Sequence, residues 1–207
     1  MQLTTVIKSA KAQSPWRVGN DVLYELCRTR PTHKKVPDVL AKVWLIGRSY
    51  AAAIERRRNK GGLNDDFYIN EVAPAIIGSK IDLWINKAKK FDRPSKKSLS
   101  TLLTVHHETT QLFNSISGLE KRSLASKYLH FHVPQLFYIY DTRAVQGLRK
   151  LGKLLPRASR SNANVDIEYR KFSEKCLFLQ EHIEGEYGTR LSPREIDNLL
   201  LLVQSGN

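Results

Sequence analysis

Along most of the chain, apolar residues recur every three or four positions, the spacing that turns one face of an α-helix toward a core. Between Val36 and Arg58, the residues Val39, Val43, Leu45, Ile46, Tyr50 and Ile54 follow it and predict one long helix. "NKGGLNDD" (Asn59 to Asp66), with its paired glycines, then breaks the pattern. A short helix is predicted over Asp21 to Arg28, stopped before Pro31, and two more over Phe67 to Ile77 and Lys80 to Lys90, separated near Gly78. Leu99 to Ile116 predicts a strong helix with Gly118 as its C-cap. Helices follow over Lys121 to Phe131, Asp141 to Leu151 and Ile167 to Tyr187. The last helix opens with "SPRE", where Ser192 is the N-cap, Pro193 takes the first helical position and Glu195 closes a capping box. No stretch alternates with the period of a strand, and there is no internal repeat. The pattern therefore predicts an all-α fold over residues 1–207. Its most polar loop, Leu154 to Asp166, is the segment most prone to disorder.

Composition narrows the class. With 207 residues, 41% hydrophobic and 26% charged, the chain can bury one real core or two small lobes sharing a cleft. The longest apolar runs, such as "NLLLLV" (Asn198 to Val203), are too short to span a bilayer. The N-terminal stretch lacks the apolar run of a signal peptide, which predicts a cytoplasmic protein. Cys27 and Cys176 form no C-x-x-C pattern and read as buried free thiols, with one disulfide as the alternative. Charge adds more. Thirty-four Lys and Arg against twenty Asp and Glu give a net charge of +14. That excess repels itself unless a polyanion is the usual neighbour. Double-stranded DNA is the leading candidate and a membrane surface the second. The basic residues are spread through the chain in clusters such as "ERRRNK" (Glu55 to Lys60), which suits a folded domain with a basic face and a monomeric binder.

One stretch concentrates the chemistry. In "HVPQLFYIYDTRAV" (His132 to Val145) an extended aromatic run ends at Asp141, where a helix begins. Aspartate is a preferred N-cap, and that alone explains it. Yet the run also carries Asp141 from the interior to a cleft edge. Upstream, the helices Leu99 to Ile116 and Lys121 to Phe131 are joined by the turn "SISGL", forming a hairpin. The free N–H groups near Leu119 to Arg122 can hold a phosphate, with Lys121 and Arg122 at that spot.

The order of helix, glycine turn, basic helix start, aromatic link and aspartate resembles the helix-hairpin-helix DNA glycosylase superfamily. This group includes endonuclease III, the adenine glycosylase and the 8-oxoguanine glycosylase. The likeness covers Leu112 to Val145, and "SLASKYLHF" and "YIYDTRA" look most like small bacterial members. It implies two helical lobes around a cleft, a hairpin that clamps the DNA backbone, and a catalytic aspartate in the cleft, here Asp141. Gly118, Lys121 and Arg122 would contact DNA, joined by Arg143 and by Arg56, Arg57 and Arg58. The family hairpin usually has a second glycine where this chain has Glu120. Members that also cut the strand carry a lysine there that forms a Schiff base. Aligning on Gly118 puts Arg122 at that position, and arginine cannot act as an amine nucleophile. The other register puts Lys127 there, only 14 residues before Asp141. The first register implies a monofunctional enzyme with Lys127 as an electrostatic or substrate-contacting residue.

In that mechanism a carboxylate stabilises an oxocarbenium-like sugar and orients the attacking water, as in glycoside hydrolysis. The target base must leave the stack, and a flipped base needs aromatic walls and hydrogen-bonding groups. Trp44, Arg48, Tyr50, His130, His132, Tyr138 and Tyr140 are the candidates, each with core packing as the plain alternative. His106, His107, His130 and His132 have no metal-ligand spacing, two cysteines cannot hold an iron–sulfur cluster, and no nucleotide-binding glycine loop occurs. No cofactor is therefore expected. The expectation is a bacterial DNA glycosylase that removes a damaged or modified base, in repair or against the hypermodified bases of phage DNA. The alternatives are a non-catalytic hairpin module and a regulatory protein with an acidic partner.

Overall fold

Side chains fix the starts of four helices among the described residues, and each is legible in sequence. The protein was examined as a computed structural model, which describes residues 3–12, 14–56, 65–155 and 164–206. Within them the chain runs α1 (Leu3–Lys11), α2 (Arg17–Thr29), α3 (Val36–Ser49), α4 (Asp65–Phe67), a π-helical turn (Tyr68–Val72), α5 (Ala73–Ile77) and α6 (Ile81–Ala88). It continues through α7 (Lys96–Ser117), α8 (Arg122–His132), α9 (Thr142–Lys150), a 3₁₀ turn (Gly152–Leu154), α10 (Ile167–Tyr187) and α11 (Pro193–Ser205). No strand occurs among the described residues. Ser95, Asp141, Asp166 and Ser192 cap α7, α9, α10 and α11 by accepting a hydrogen bond from a first-turn backbone N–H. The hairpin turn holds Gly118 at φ 70°, the left-handed conformation that ends α7. Helix α1 has no counterpart among the predicted helices.

The long helix expected over Val36 to Arg58 is a correction. Helix α3 stops at Ser49, and Ala51 takes a φ of 49°. The chain folds back so closely that a Cβ on Gly47 would lie 3.0 Å from the Ala53 Cα. The lack of a side chain at Gly47 permits that approach, and Ile54 is buried from a turn instead of a helix face. Periodicity could not distinguish the two, since both bury Ile54.

The apolar side chains gather in two cores. The first takes Leu23, Val43, Ile46, Val72, Ile76, Ile85, Phe113, Tyr128 and Phe137, among others, from α2 to α8 and the link after it. The second takes Val6, Ile7, Tyr138, Leu148, Phe172, Leu179, Ile183, Leu199 and Leu200, mainly from α1, α9, α10 and α11. Each large apolar side chain buried in this way contributes about 1.5–3 kcal/mol. Helix α7 serves both, sending Leu102 and Val105 into the first and Leu103 into the second. His106 on α7 stacks on Tyr169 of α10 with ring centroids 3.4 Å apart. Helix α9 lies directly on α11, and a Cβ on Gly147 would come within 2.2 Å of the Leu200 carbonyl oxygen. Cys27 and Cys176 are free and buried in different cores, so the disulfide alternative falls away. No helix among the described residues is long and apolar enough to cross a membrane.

Polar groups inside the first core are tied down. Lys42 donates to the carbonyls of Arg30 (3.0 Å) and Thr32 (2.9 Å), closing the α2–α3 connection. His33 meets the Asp82 carboxylate through Nδ1 (2.6 Å) and the Tyr128 hydroxyl through Nε2 (2.6 Å), joining three elements. Burial and the nearby Lys42 charge push the His33 imidazole down to about 4.

Candidate active site

Between the two cores lies a cluster of four charged side chains. Helix α8 places Lys127 one turn after Ser123, whose hydroxyl oxygen accepts from the Lys127 ammonium at 2.8 Å. The extended link Phe137–Tyr140 then returns along α8, where the Ser126 hydroxyl oxygen accepts from the Tyr140 N–H at 3.0 Å. This return brings Asp141 to Lys127. Asp141 Oδ1 accepts from the Ala144 N–H at 2.9 Å and caps α9, leaving Oδ2 3.5 Å from the Lys127 ammonium. The cap and the ion pair use different oxygens of one carboxylate. The Lys127 side chain is only 2% exposed, whereas that of Asp141 is 29% exposed, so the carboxylate reaches solvent and the amine stands behind it. Burial pushes the Lys127 amine below the ordinary lysine range, opposed by the charges of Asp141 and Asp197.

Helix α11 supplies the other pair. Arg194 Nη1 lies 3.4 Å from Asp197 Oδ2, one helical turn away. The Arg194 guanidinium sits 5.9, 5.6 and 5.5 Å from the ring centroids of Tyr24, Tyr50 and Phe131. Its Nε donates to the Tyr24 hydroxyl at 3.0 Å. The Tyr24 hydroxyl is 2.7 Å from His130 Nε2, and His130 Nδ1 is 2.8 Å from the Phe137 carbonyl. A carbonyl only accepts, so Nδ1 carries the proton and Nε2 accepts from Tyr24. Burial keeps the His130 imidazole well below its ordinary range, hence neutral. The Tyr50 ring lies under both cations, with the Lys127 ammonium 5.8 Å from its centroid. Asp197 is 5% exposed, and burial raises its carboxyl to about 7. Among the described residues, Asp197 Oδ1 and Arg194 Nη2 are buried without a hydrogen-bond partner.

The remaining predicted residues scatter. His132 is buried in the first core, its ring 5.0 Å from His33. Tyr138 is buried in the second core and donates to Gln180 at 2.7 Å. Tyr140 packs on Tyr169 and Phe172, with the Arg122 guanidinium 5.6 Å from its ring. Trp44 is exposed and lines an apolar groove with Leu40, Ala41, Tyr68 and Ile69, and Arg48 beside it pairs with Glu55 at 2.6 Å. Neither Trp44 nor Arg48 touches the Lys127–Asp141 pair through any contact described for them.

At the hairpin, Arg122 is held by Asp166 (2.6 Å) and Glu120 (2.9 Å). Helix α8 has no side-chain cap, so its first N–H groups keep their capacity for an anion. The Lys121 ammonium donates to the Arg56 carbonyl at 2.6 Å, which sets the turn after α3 against the hairpin. Arg143 is exposed, and its charge acts on Asp197 from α9. Arg57 and Arg58 lie outside the described residues. Sequence reasoning passed over Arg194, Asp197 and Tyr24. A signal was present: in "SPREIDNLL" Arg194 and Asp197 stand one turn apart around the apolar Ile196, Leu199 and Leu200. No group of three or more His, Cys, Asp and Glu side chains suited to a metal occurs among the described residues. Comparison with family models, with curated proteins and with solved structures finds no match for this chain.

Proposed function

We propose that the protein is a DNA glycosylase that excises a damaged or modified base through the Lys127–Asp141 pair. The observation that carries this reading is the contact itself: a buried amine of lowered basicity beside a partly open carboxylate, between two cores. Asp141 is the group that stabilises positive charge developing on the sugar as the base departs with the glycosidic electrons. Of the two registers of the hairpin, the contact favours Lys127, because Arg122 is engaged by Asp166 and Glu120. Once neutral, the Lys127 amine can attack C1′, so the N–C1′ bond forms as the base leaves. The net charge of +14 and the uncapped start of α8 support a DNA backbone as the anion held beside the site.

The test is release of abasic sites from alkylated, oxidised and uracil-containing DNA and from phage DNA with modified cytosines. Hot alkali converts each abasic site into a strand break, and borohydride traps any amine adduct. Breaks with wild type but not with Asp141→Asn support the reading. A trapped adduct lost in Lys127→Gln assigns the amine. A second reading has its own observation: Asp141 already serves as the α9 cap and as the Lys127 counter-ion, which needs no chemistry. No breaks on any substrate, with salt-sensitive DNA binding retained, would establish that non-catalytic module.

A further inference from the structure

Asp197 occupies an unusual place. Its carboxylate is buried, comes from α11, and leaves Oδ1 without a hydrogen-bond partner among the described residues. Such an atom costs free energy unless it has a task or gains a proton. Its surroundings are charged on several sides. Arg194 faces it from its own helix, Lys127 from α8, Asp141 and Arg143 from the start of α9. The Cys176 thiol on α10 and the hydroxyls of Tyr24 on α2 and Tyr50 on α3 also feel its charge. Lys127 and Arg194 share the face of one ring, Tyr50, so the two ion pairs form one cluster.

We infer that Asp197 and Lys127 share a single proton, so that Asp197 sets how much of the Lys127 amine is neutral. This deepens the glycosylase reading, which needs a neutral amine, but the proton sharing itself can be measured without DNA. The physics runs in one direction for both groups. Burial disfavours the ammonium form of Lys127 and the carboxylate form of Asp197 alike. Moving the proton from the Lys127 Nζ to an Asp197 oxygen frees the nitrogen lone pair and satisfies the buried carboxyl by making it neutral. The cluster carries no net charge before or after the transfer. In the starting form Lys127 and Arg194 balance Asp141 and Asp197. In the transferred form Arg194 balances Asp141. Two groups coupled in this way titrate as a pair, in two steps that belong to neither alone. Asp197 is thus a positioning residue for the amine's proton and has no contact with DNA in this scheme.

The experiment is an NMR titration of the free protein labelled with carbon-13 lysine, following the Lys127 Cε resonance from pH 5 to 11 or so. Two steps are expected in wild type. In Asp197→Asn they should collapse to one step, at lower pH than the upper wild-type step, because the anion that held the ammonium charge is gone. Arg194→Gln is the second variant, should Asp197→Asn fail to fold. It removes a neighbouring positive charge, so the upper step should move to higher pH while two steps remain. A single wild-type step that is unchanged in Asp197→Asn, or an upper step unmoved by Arg194→Gln, would overturn the shared proton. Either result stands whatever the abasic-site assay finds. An inactive protein with two coupled steps would refute the glycosylase and keep the proton sharing.

Discussion

The Asp82–His33–Tyr128 chain in the first core and the Lys127–Asp141–Arg194–Asp197 cluster between the cores both join residues far apart in sequence. They differ in how far they are satisfied. In the first, both His33 ring nitrogens have partners at 2.6 Å, and the chain links the α2–α3 turn to α6 and α8. In the second, Asp197 Oδ1 and Arg194 Nη2 are buried without partners, and Asp141 opens to solvent. A fully bonded buried network rigidifies a fold. Unpaired buried groups with a shifted carboxyl and amine cost stability and persist where chemistry needs them. The contrast separates a structural network from a functional one.

The comparison can be broken by mutation. The largest effect should come from Gly147→Ala, which alters how α9 rests on α11 and so disturbs the cluster from behind. The new Cβ would meet the Leu200 carbonyl oxygen at 2.2 Å, and overpacking of this kind costs about 3 kcal/mol or more. Urea denaturation should show it, and wild-type stability would mean that the two helices separate freely. Next, His33→Ala should cost roughly 2–4 kcal/mol by leaving Asp82 and the Tyr128 hydroxyl unpaired. Asp197→Asn should, by contrast, leave stability at pH 8 within about 1 kcal/mol of wild type or raise it, because ionising Asp197 is what the fold resists. Equal losses in the two variants would erase the distinction between the networks.

Acid sharpens the same contrast. Burial pushes His33 to about 4 and His106 to about 3, and holds His130 and His132 well below the ordinary 6.5. Below pH 6.5 the unfolded chain binds protons at these histidines that the native chain refuses, so stability falls as pH falls. The slope is up to about 1.4 kcal/mol per pH unit for each histidine. Asp197 acts with the opposite sign. Its native carboxyl, raised to about 7, holds a proton that the unfolded one has released, and so offsets one histidine between pH 4 and 6.5 or so. Thermal melts should therefore fall more steeply with acid in Asp197→Asn than in wild type. The smallest effect is expected at Trp44. Trp44→Ala on the separate groove should change base release less than about twofold, since distant sites act independently. A larger loss would extend the substrate surface across α3.

Some of this was open to sequence reading and some was not. The caps at Asp141 and Ser192, the Gly118 turn and the limits of α10 are local, and one stretch of chain specifies each. The Lys127 and Asp141 candidates also came from local pattern. Their partner Asp197 lies 56 residues after Asp141, and nothing in the spacing announces it. The aromatic candidates scattered because aromatic character does not say which core a ring enters: Tyr50 faces the cluster, Tyr138 the second core, Trp44 a groove.

By itself the sequence determined an all-helical chain, the starts and stops of most of its helices, a strong positive charge and the identity of one amine and one acid. Only the tertiary structure decided that α3 ends early over Gly47, that the apolar faces divide into two cores, and that Arg122 belongs to Asp166 while Lys127 belongs to Asp141. The reason is physical. Caps and periodicity act within a few residues, where the backbone itself fixes the distance. Burial and charge pairing depend on which helix faces pack together, and those faces are brought together by contacts across the whole chain.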